Sequence, residues 1–324
     1  MNKIFKRLSC ALALAGLVAA PVAFAVDKPR AKDKPRVSIK YPAKSAARKG
    51  ARPHVAIRAK HNAEPDIIAG SPNLKSSSAL VFDLEDGQAI YGKNTQNRTP
   101  IASITKLMTS MVVLDANLPQ EETIYIDAAD YDSIKHTGSR LGMGTGLPRR
   151  EMLRLALMSS ENRAAASLAR AYPGGTPAFV AAMNRKAGEL SMTNTRFVDS
   201  TGLSSDNVST AEDLVKMVKG AYEYALIREY TTTSAHEVET SAGRSLQFRN
   251  SNGLVRAPNS SWEIGLSKTG YISEAGRCLV MQAKIAARPV IIVLLDSWGK
   301  QTRIGDANRI KKWLETKLER KPVG

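Results

Sequence analysis

The stretch Ile101-Ala-Ser-Ile-Thr-Lys106 decides how the rest of the chain is read. Pro100 biases Thr99 toward extended backbone, so a helix is expected to start at about Ala102 or Ser103. On that helix Ser103 and Lys106, three apart, share one face within contact range. Leu107, Met108, Met111, Val112 and Leu114 follow, an apolar set expected of a helix running through a core. The turn thus sets a hydroxyl at a helix N-terminus and an amine one turn deeper.

That pairing has a specific chemical meaning. A serine hydroxyl is a poor nucleophile until a neighbouring base takes its proton. Lysine does this only when neutral, and its ordinary pKa is roughly 10.4. Burial, a second cation and the positive end of a helix dipole all disfavour the ammonium. The plain alternative is a serine N-cap and an ordinary helical lysine. Ser297-Trp-Gly-Lys300 repeats the S-x-x-K spacing, so the spacing alone does not decide.

Residues 1–25 read as a secretory signal: Lys3, Lys6 and Arg7, an apolar run from Leu8 to Ala20, then the cleavage pattern Ala23-Phe-Ala25. The run is short for a membrane-spanning helix. Its removal takes Cys10 away and leaves Cys278 as the single cysteine, so export would proceed without an internal disulfide.

Residues 26–66 form a basic tail. Of the formal charge of +17, residues 27–60 carry +10, with 12 Lys and Arg against Asp27 and Asp33. Rich in Pro, Ala and Lys, the tail cannot bury enough apolar surface to offset its ordering entropy and is expected to be disordered. An exported basic tail points to an anionic cell-envelope polymer or a membrane surface, and no nucleic acid is expected. A solvated spacer is the plain alternative.

The remaining 258 residues, 67–324, suffice for one well-packed domain. Ala79–Leu84 and Gln88–Tyr91, joined by Glu85-Asp-Gly87, predict a β-hairpin. Helices are expected over 151–158, 163–171, 178–190 and 210 to about 224. Trp262, Ile264 and Leu266 alternate with Glu263, Gly265 and Ser267, a strand with one buried face. Strands over 277–285 and 289–296 and a helix over about 301–318, with Ile304, Ala307, Ile310 and Leu314 along one side, complete the chain. This order predicts a mixed α/β (α+β) fold, an antiparallel sheet flanked by helices with an all-helical insertion.

Two further triplets carry chemistry. Ser160-Glu-Asn162 lies between helical stretches, where a loop can present a hydroxyl for proton transfer and an amide for a substrate carbonyl. Lys268-Thr-Gly270 ends the Trp262 strand. There a strand edge could pair with an extended peptide, Lys268 and Thr269 could meet an anionic group, and Gly270 permits close backbone approach. Lys268 would also be the second cation that lowers the pKa of Lys106. Ser205-Asp-Asn207 matches S-x-N equally well.

In the order S-x-x-K, S-x-N, K-T-G these elements resemble the signature of penicillin-binding proteins and class A β-lactamases. From about Ala79 to Leu318 the chain resembles low-molecular-mass penicillin-binding proteins of the D-alanyl-D-alanine carboxypeptidase family, most of all the D-alanyl-D-alanine endopeptidase type. The stretches Ile101–Met108, Leu157–Arg163, Thr201-Gly-Leu203 with Ser209-Thr-Ala211, and Lys268-Thr-Gly-Tyr271 carry the likeness. That context favours Ser160 over Ser205, since Ser160 follows an apolar helix and precedes Ala164-Ala-Ala.

The resemblance implies a β-lactamase/transpeptidase-like fold and an acyl-enzyme mechanism. Ser103 would attack a D-Ala carbonyl with Lys106 as base. Ser160 would relay the proton to the leaving amine, and Asn162 would hold the acyl side chain. Lys268, Thr269 and Gly270 would bind the acceptor side, and the backbone N–H groups of Ser103 and Tyr271 would form an oxyanion hole. It implies peptidoglycan stem peptides as substrate, β-lactams as covalent inhibitors, no cofactor and no metal, and a periplasmic enzyme, soluble or peripherally held. Only 54 residues follow Gly270, whereas anchored carboxypeptidases of the family continue into a second β-rich domain and an amphipathic helix. Cleavage of cross-links is therefore expected to outweigh carboxypeptidase action.

The rival readings are weaker. A β-lactamase would carry a deacylating glutamate in an E-x-x-L-N segment, and the sequence has none. The pattern H-E-x-x-H is absent, and His54, His61, His136 and His236 are scattered. A catalytically degenerate peptidoglycan-binding protein would be expected to have lost motif residues, and all seven are present.

Overall fold

The computed structural model describes residues 71–319. The secretory signal and the whole of the basic tail predicted from sequence lie outside the described residues. In chain order the elements are β1 (Ser78–Asp83), β2 (Gln88–Lys93), β3 (Thr99–Pro100), α1 (Thr105–Asp115), β4 (Thr123–Tyr125), β5 (Gly146–Pro148), α2 (Arg149–Met158), α3 (Asn162–Arg170) and α4 (Gly175–Glu189). Then come β6 (Val208–Ser209), α5 (Ala211–Tyr222), α6 (Ala225–Thr232), β7 (Ala235–Glu239), β8 (Ser245–Arg249), α7 (Gly253–Arg256), β9 (Glu263–Ile272), β10 (Gly276–Ile285), β11 (Arg288–Ser297) and α8 (Thr302–Glu319). No helix among the described residues is long and apolar enough to cross a membrane.

One antiparallel sheet, ordered β2-β1-β11-β10-β9, joins the two ends of this segment. Its central strand β11 is the nearly continuous apolar run of the sequence, because both of its faces are covered. Ile291, Val293 and Leu295 enter the core shared with α1, α2, α3 and α5. Val290, Ile292 and Leu294 face the other way, with Ala307, Ile310 and Leu314 of α8. Each such fully buried aliphatic side chain contributes about 1.5–3 kcal/mol. Asp306 of α8, itself buried, accepts hydrogen bonds from the backbone N–H groups of Lys75 (3.0 Å) and Ser76 (2.8 Å) and pins the entry segment to that face.

The predicted antiparallel sheet flanked by helices is present, and the inserted segment is mainly helical. It also holds three two-stranded ladders, β3 with β6, β4 with β5, and β7 with β8. These are short pairs with few apolar residues, so their periodicity in the sequence is faint. The helix expected to run to about Tyr224 ends at Tyr222, and α6 follows as a separate helix.

The reading of Trp262, Ile264 and Leu266 as one buried face needs correction. On β9, Ile264 lies opposite Ala283 and Leu266 opposite Gln282, so Gly265 is an extra residue in the ladder. This bulge reverses the alternation. Trp262 and Ile264 pack on the α8 side, whereas Leu266 belongs to the core on the opposite face. Lys268, opposite Val280, follows Leu266 to that face. A Cβ at Gly265 would sit 2.1 Å from Gln282 Oε1 and 2.9 Å from Tyr222 Cε2, which leaves no room for a side chain there.

Candidate active site

The chain enters the site through the β3–β6 ladder, continued by Ile101 N–H donating to the Asn207 carbonyl at 3.1 Å. A single 3-10 turn over Ala102–Ile104 precedes α1, so the helical stretch starts where Pro100 predicts. Ala102 has φ +48°, the left-handed region that a β-carbon disfavours by roughly 1–2 kcal/mol. Two glycines hold this turn from either side. A Cβ on Gly202 (φ +81°) would lie 2.0 Å from the Ala102 carbonyl oxygen. One on Gly270 would lie 2.9 Å from the Ile101 oxygen and 3.2 Å from Ser103 N. Only glycine lets both segments approach the strained Ala102 turn so closely.

Lys106 is fully buried, one turn along from Ser103. Its Nζ donates to the Thr201 carbonyl at 2.6 Å and to Asn162 Oδ1 at 2.7 Å, and lies 3.0 Å from Ser103 Oγ. Burial pulls its pKa from the ordinary lysine value down to about 7, against an opposing pull from Asp199, Glu161 and Asp132. Asp199 also shapes the loop that reaches Lys106. Its carboxylate accepts from the N–H groups of Thr201 (2.6 Å), Gly202 (2.6 Å) and Ser204 (2.9 Å), which turns the Thr201 carbonyl onto the amine.

The loop between α2 and α3 brings the S-x-N triplet to the same place. Ser160 has φ +64°, a second strained non-glycine residue, and Asn162 begins α3. Asn162 spans the site: Oδ1 accepts from Lys106, and Nδ2 donates to Thr137 Oγ1 at 2.9 Å. Facing it, Lys268 Nζ donates to Ser160 Oγ at 2.9 Å and to the Thr269 carbonyl at 3.1 Å. Thr269 Oγ1 donates to Ser251 Oγ, or accepts from it, at 2.7 Å. Tyr271 stands 56% exposed at the outer end of β9, with the Arg277 guanidinium 4.5 Å above its ring.

Burial, then Lys106, then Arg303 push the pKa of Lys268 well down. Burial is the cause that lowers Lys106, and Lys268 does not figure there, contrary to the sequence reading.

All the residues singled out from sequence come together here, and the competing matches do not. Asn207 is wholly buried, donating to Thr105 Oγ1 (3.0 Å) and the Asp199 carbonyl (2.9 Å). Ser297 is buried beside Ser76 Oγ (2.7 Å), while Lys300 is exposed. Sequence reasoning missed Thr137, Asp199, Ser251 and Arg303. Arg303 of α8 donates to the Gly270 carbonyl at 2.9 Å and to that of Cys278 at 3.2 Å. None of the four sits in a spacing that ties it to the motifs.

A cleft of about 510 Å3 opens from Ser160 and Asn162. Among the described residues no three His, Cys, Asp or Glu side chains converge as metal ligands would. The arrangement offers a hydroxyl, a buried amine of lowered pKa, a second hydroxyl on a second buried amine, and an amide. These are the parts of a nucleophilic acyl transfer.

Comparison with known proteins agrees with that chemistry. Residues 65–299 match the family model described as D-alanyl-D-alanine carboxypeptidase. A D-alanyl-D-alanine endopeptidase of Pseudomonas aeruginosa is 49% identical over 259 residues, covering 79% of this chain and 83% of the relative. The crystal structure of the Streptomyces K15 DD-transpeptidase superposes with a TM-score of 0.70 at 28% identity, over 76% of this chain and 98% of that one. Penicillin-binding protein D2 from Listeria monocytogenes in its ampicillin-bound form superposes with a TM-score of 0.64 at 28% identity, over 74% of this chain and 97% of that one.

Proposed function

The chain belongs to the D-alanyl-D-alanine carboxypeptidase family of serine peptidases, and on that premise we propose that it hydrolyses peptidoglycan stem peptides, chiefly as an endopeptidase on D,D-cross-links, through an acyl-enzyme on Ser103. The observation that carries the reading is the contact between Ser103 Oγ and the fully buried Lys106, whose pKa lies near 7. A neutral amine has two N–H groups and one lone pair. The Thr201 carbonyl and Asn162 Oδ1 can only accept, so they take both N–H groups and turn the lone pair to Ser103.

In this mechanism Ser103 Oγ attacks the D-Ala carbonyl carbon as its proton passes to Lys106. The backbone N–H groups of Ser103 and Tyr271 hold the oxyanion, each worth roughly 3 kcal/mol in the transition state. Ser160 relays the proton taken up by Lys106 to the departing amine as the peptide bond breaks, so that both return to their starting state. Lys268 and Thr269 receive the carboxylate on the leaving side. An arriving carboxylate favours the charged form of Lys268, offsetting the burial that otherwise disfavours it. Asn162 positions the acyl side chain, Gly270 admits the backbone of the substrate, and water then attacks the ester to free Ser103.

The endopeptidase relative supports cleavage of cross-links as the main activity, and the ampicillin-bound neighbour supports β-lactams as acylating inhibitors. Residues 1–25 would direct export to the periplasm. Residues 26–66 would hold the enzyme on anionic envelope polymers, and residues 67–324 would do the chemistry.

The test offers pure protein a D,D-cross-linked muropeptide dimer and a monomeric pentapeptide, with products read by mass spectrometry. Conversion of the dimer to monomers is expected to be the faster reaction. Rapid release of D-Ala from the pentapeptide with the dimer left intact would make the protein a carboxypeptidase.

A further inference from the structure

The cleft that opens from Ser160 and Asn162 is lined also by Ser139, Arg140, Phe248 and Arg249. Three features of it lack a complementary charge or donor among the described residues. Arg249, exposed at the end of β8, makes no ion pair or side-chain hydrogen bond among the described residues. Arg140, also exposed, lies with its guanidinium 5.6 Å above the Phe248 ring and donates to the Gln247 carbonyl, with no carboxylate partner. Glu161, 9% exposed, lines the same cleft. Its Oε1 accepts from Ser139 Oγ (2.6 Å) and Arg140 N–H (3.3 Å), while its Oε2 is buried without any donor. Buried carboxylate oxygens are normally satisfied, and two guanidiniums facing open space are forks for carboxylates.

The site residue that lines the cleft says which part of a substrate reaches it. Ser160 is part of its lining, and Lys268 is bonded to Ser160. Tyr271, with its oxyanion-binding N–H, lies about 10 Å further along β9. A cleft lined by Ser160 therefore meets what leaves with the amine that Ser160 protonates.

We propose that this cleft is a subsite for an anionic peptide leaving group, the second stem of a cross-link: Arg249 and Arg140 pair with its free carboxylates. The proposal rests on the peptidase reading above. A D-Ala leaving group has a single carboxylate, which Lys268 and Thr269 take, so these residues select cross-linked dimers over pentapeptide monomers and convert a peptidase site into an endopeptidase.

Three substrates test this with the full-length protein: the cross-linked dimer, the same dimer with the free carboxylates of its leaving stem amidated, and the pentapeptide. Penicillin, which carries no second stem, reports in every variant whether the surroundings of Ser103 are intact. Arg249→Glu is expected to lower the ratio of dimer to pentapeptide kcat/KM by about tenfold or more, the scale of one lost charge-assisted hydrogen bond. Arg140→Ala should act in the same direction. The wild type should cleave the free dimer faster than the amidated one, and Arg249→Glu should lose that preference. A wild type that cleaves both dimers equally, or an unchanged ratio in Arg249→Glu, overturns the subsite and leaves the endopeptidase reading standing. A wild type that processes the pentapeptide but neither dimer overturns both.

Discussion

Lys106 Nζ lies 3.0 Å from Ser103 Oγ at the end of a buried side chain whose remaining partners are two oxygens that cannot donate. The amine is therefore held in the one orientation in which losing a proton creates a base aimed at the hydroxyl. Burial lowers the cost of that loss.

A pH dependence follows with a definite sign. Lys106 is reactive only when neutral, and its pKa lies near 7. The second-order rate of acylation by penicillin should fall about tenfold per pH unit below that value and level off above it. Lys106→Arg, which stays charged throughout, should not acylate at any pH. Stopped-flow or gel labelling between about pH 5 and pH 9 measures this. A rate independent of pH across that range would remove Lys106 as the base.

The serines separate in the same way. Ser103→Ala should abolish penicillin labelling, because no other hydroxyl among the described residues lies on the amine of Lys106. Ser205→Ala and Ser297→Ala should label as the wild type does. Ser297→Ala should cost about 1 kcal/mol of stability, since it breaks a buried hydrogen bond to Ser76. Loss of labelling in a folded Ser297→Ala would show that the wrong S-x-x-K had been chosen.

Much of this site was legible in the sequence because each motif is local. Ser103 with Lys106, and Ser160 with Asn162, span a single turn of chain, and Lys268 to Tyr271 are consecutive. Their order along the chain joined them before any coordinates did. The sheet was legible where alternation or a continuous apolar run was long, as in β10 and β11. It failed at Gly265, where one extra residue reversed the faces of β9 and turned Lys268 toward the helices. Asp199 and Arg303 act through the Thr201 and Gly270 carbonyls, and backbone carbonyls carry no residue-specific signal. That burial, and not Lys268, lowers the pKa of Lys106 depends on packing that spacing does not encode.

The basic tail is expected to be dispensable for chemistry and to matter for retention. A chain beginning at Ile67 should keep its turnover on small peptides yet bind isolated sacculi less tightly than the full chain at low salt. Exposed charges are screened within roughly 8 Å at physiological salt, so the difference should shrink as salt rises. Equal sacculus binding with and without residues 26–66 at low salt would reject the electrostatic role.

The sharpest remaining test concerns Ser160, where backbone strain and hydroxyl chemistry coincide. Its φ of +64° costs a serine roughly 1–2 kcal/mol, and its Oγ accepts from Lys268 at 2.9 Å. Two substitutions separate these contributions. Ser160→Gly relieves the strain and removes the hydroxyl, whereas Ser160→Ala keeps the strain and removes the hydroxyl. If the hydroxyl carries the proton to the leaving amine, both variants should acylate about 10²–10⁴-fold more slowly, the usual scale of a lost acid–base group. The Gly variant should also melt higher than the Ala variant. If the strained loop geometry alone mattered, Ala would retain activity and Gly would lose it. Penicillin acylation rates and thermal denaturation of both proteins give the answer, and an Ala variant acylating at the wild-type rate would take Ser160 out of the proton path.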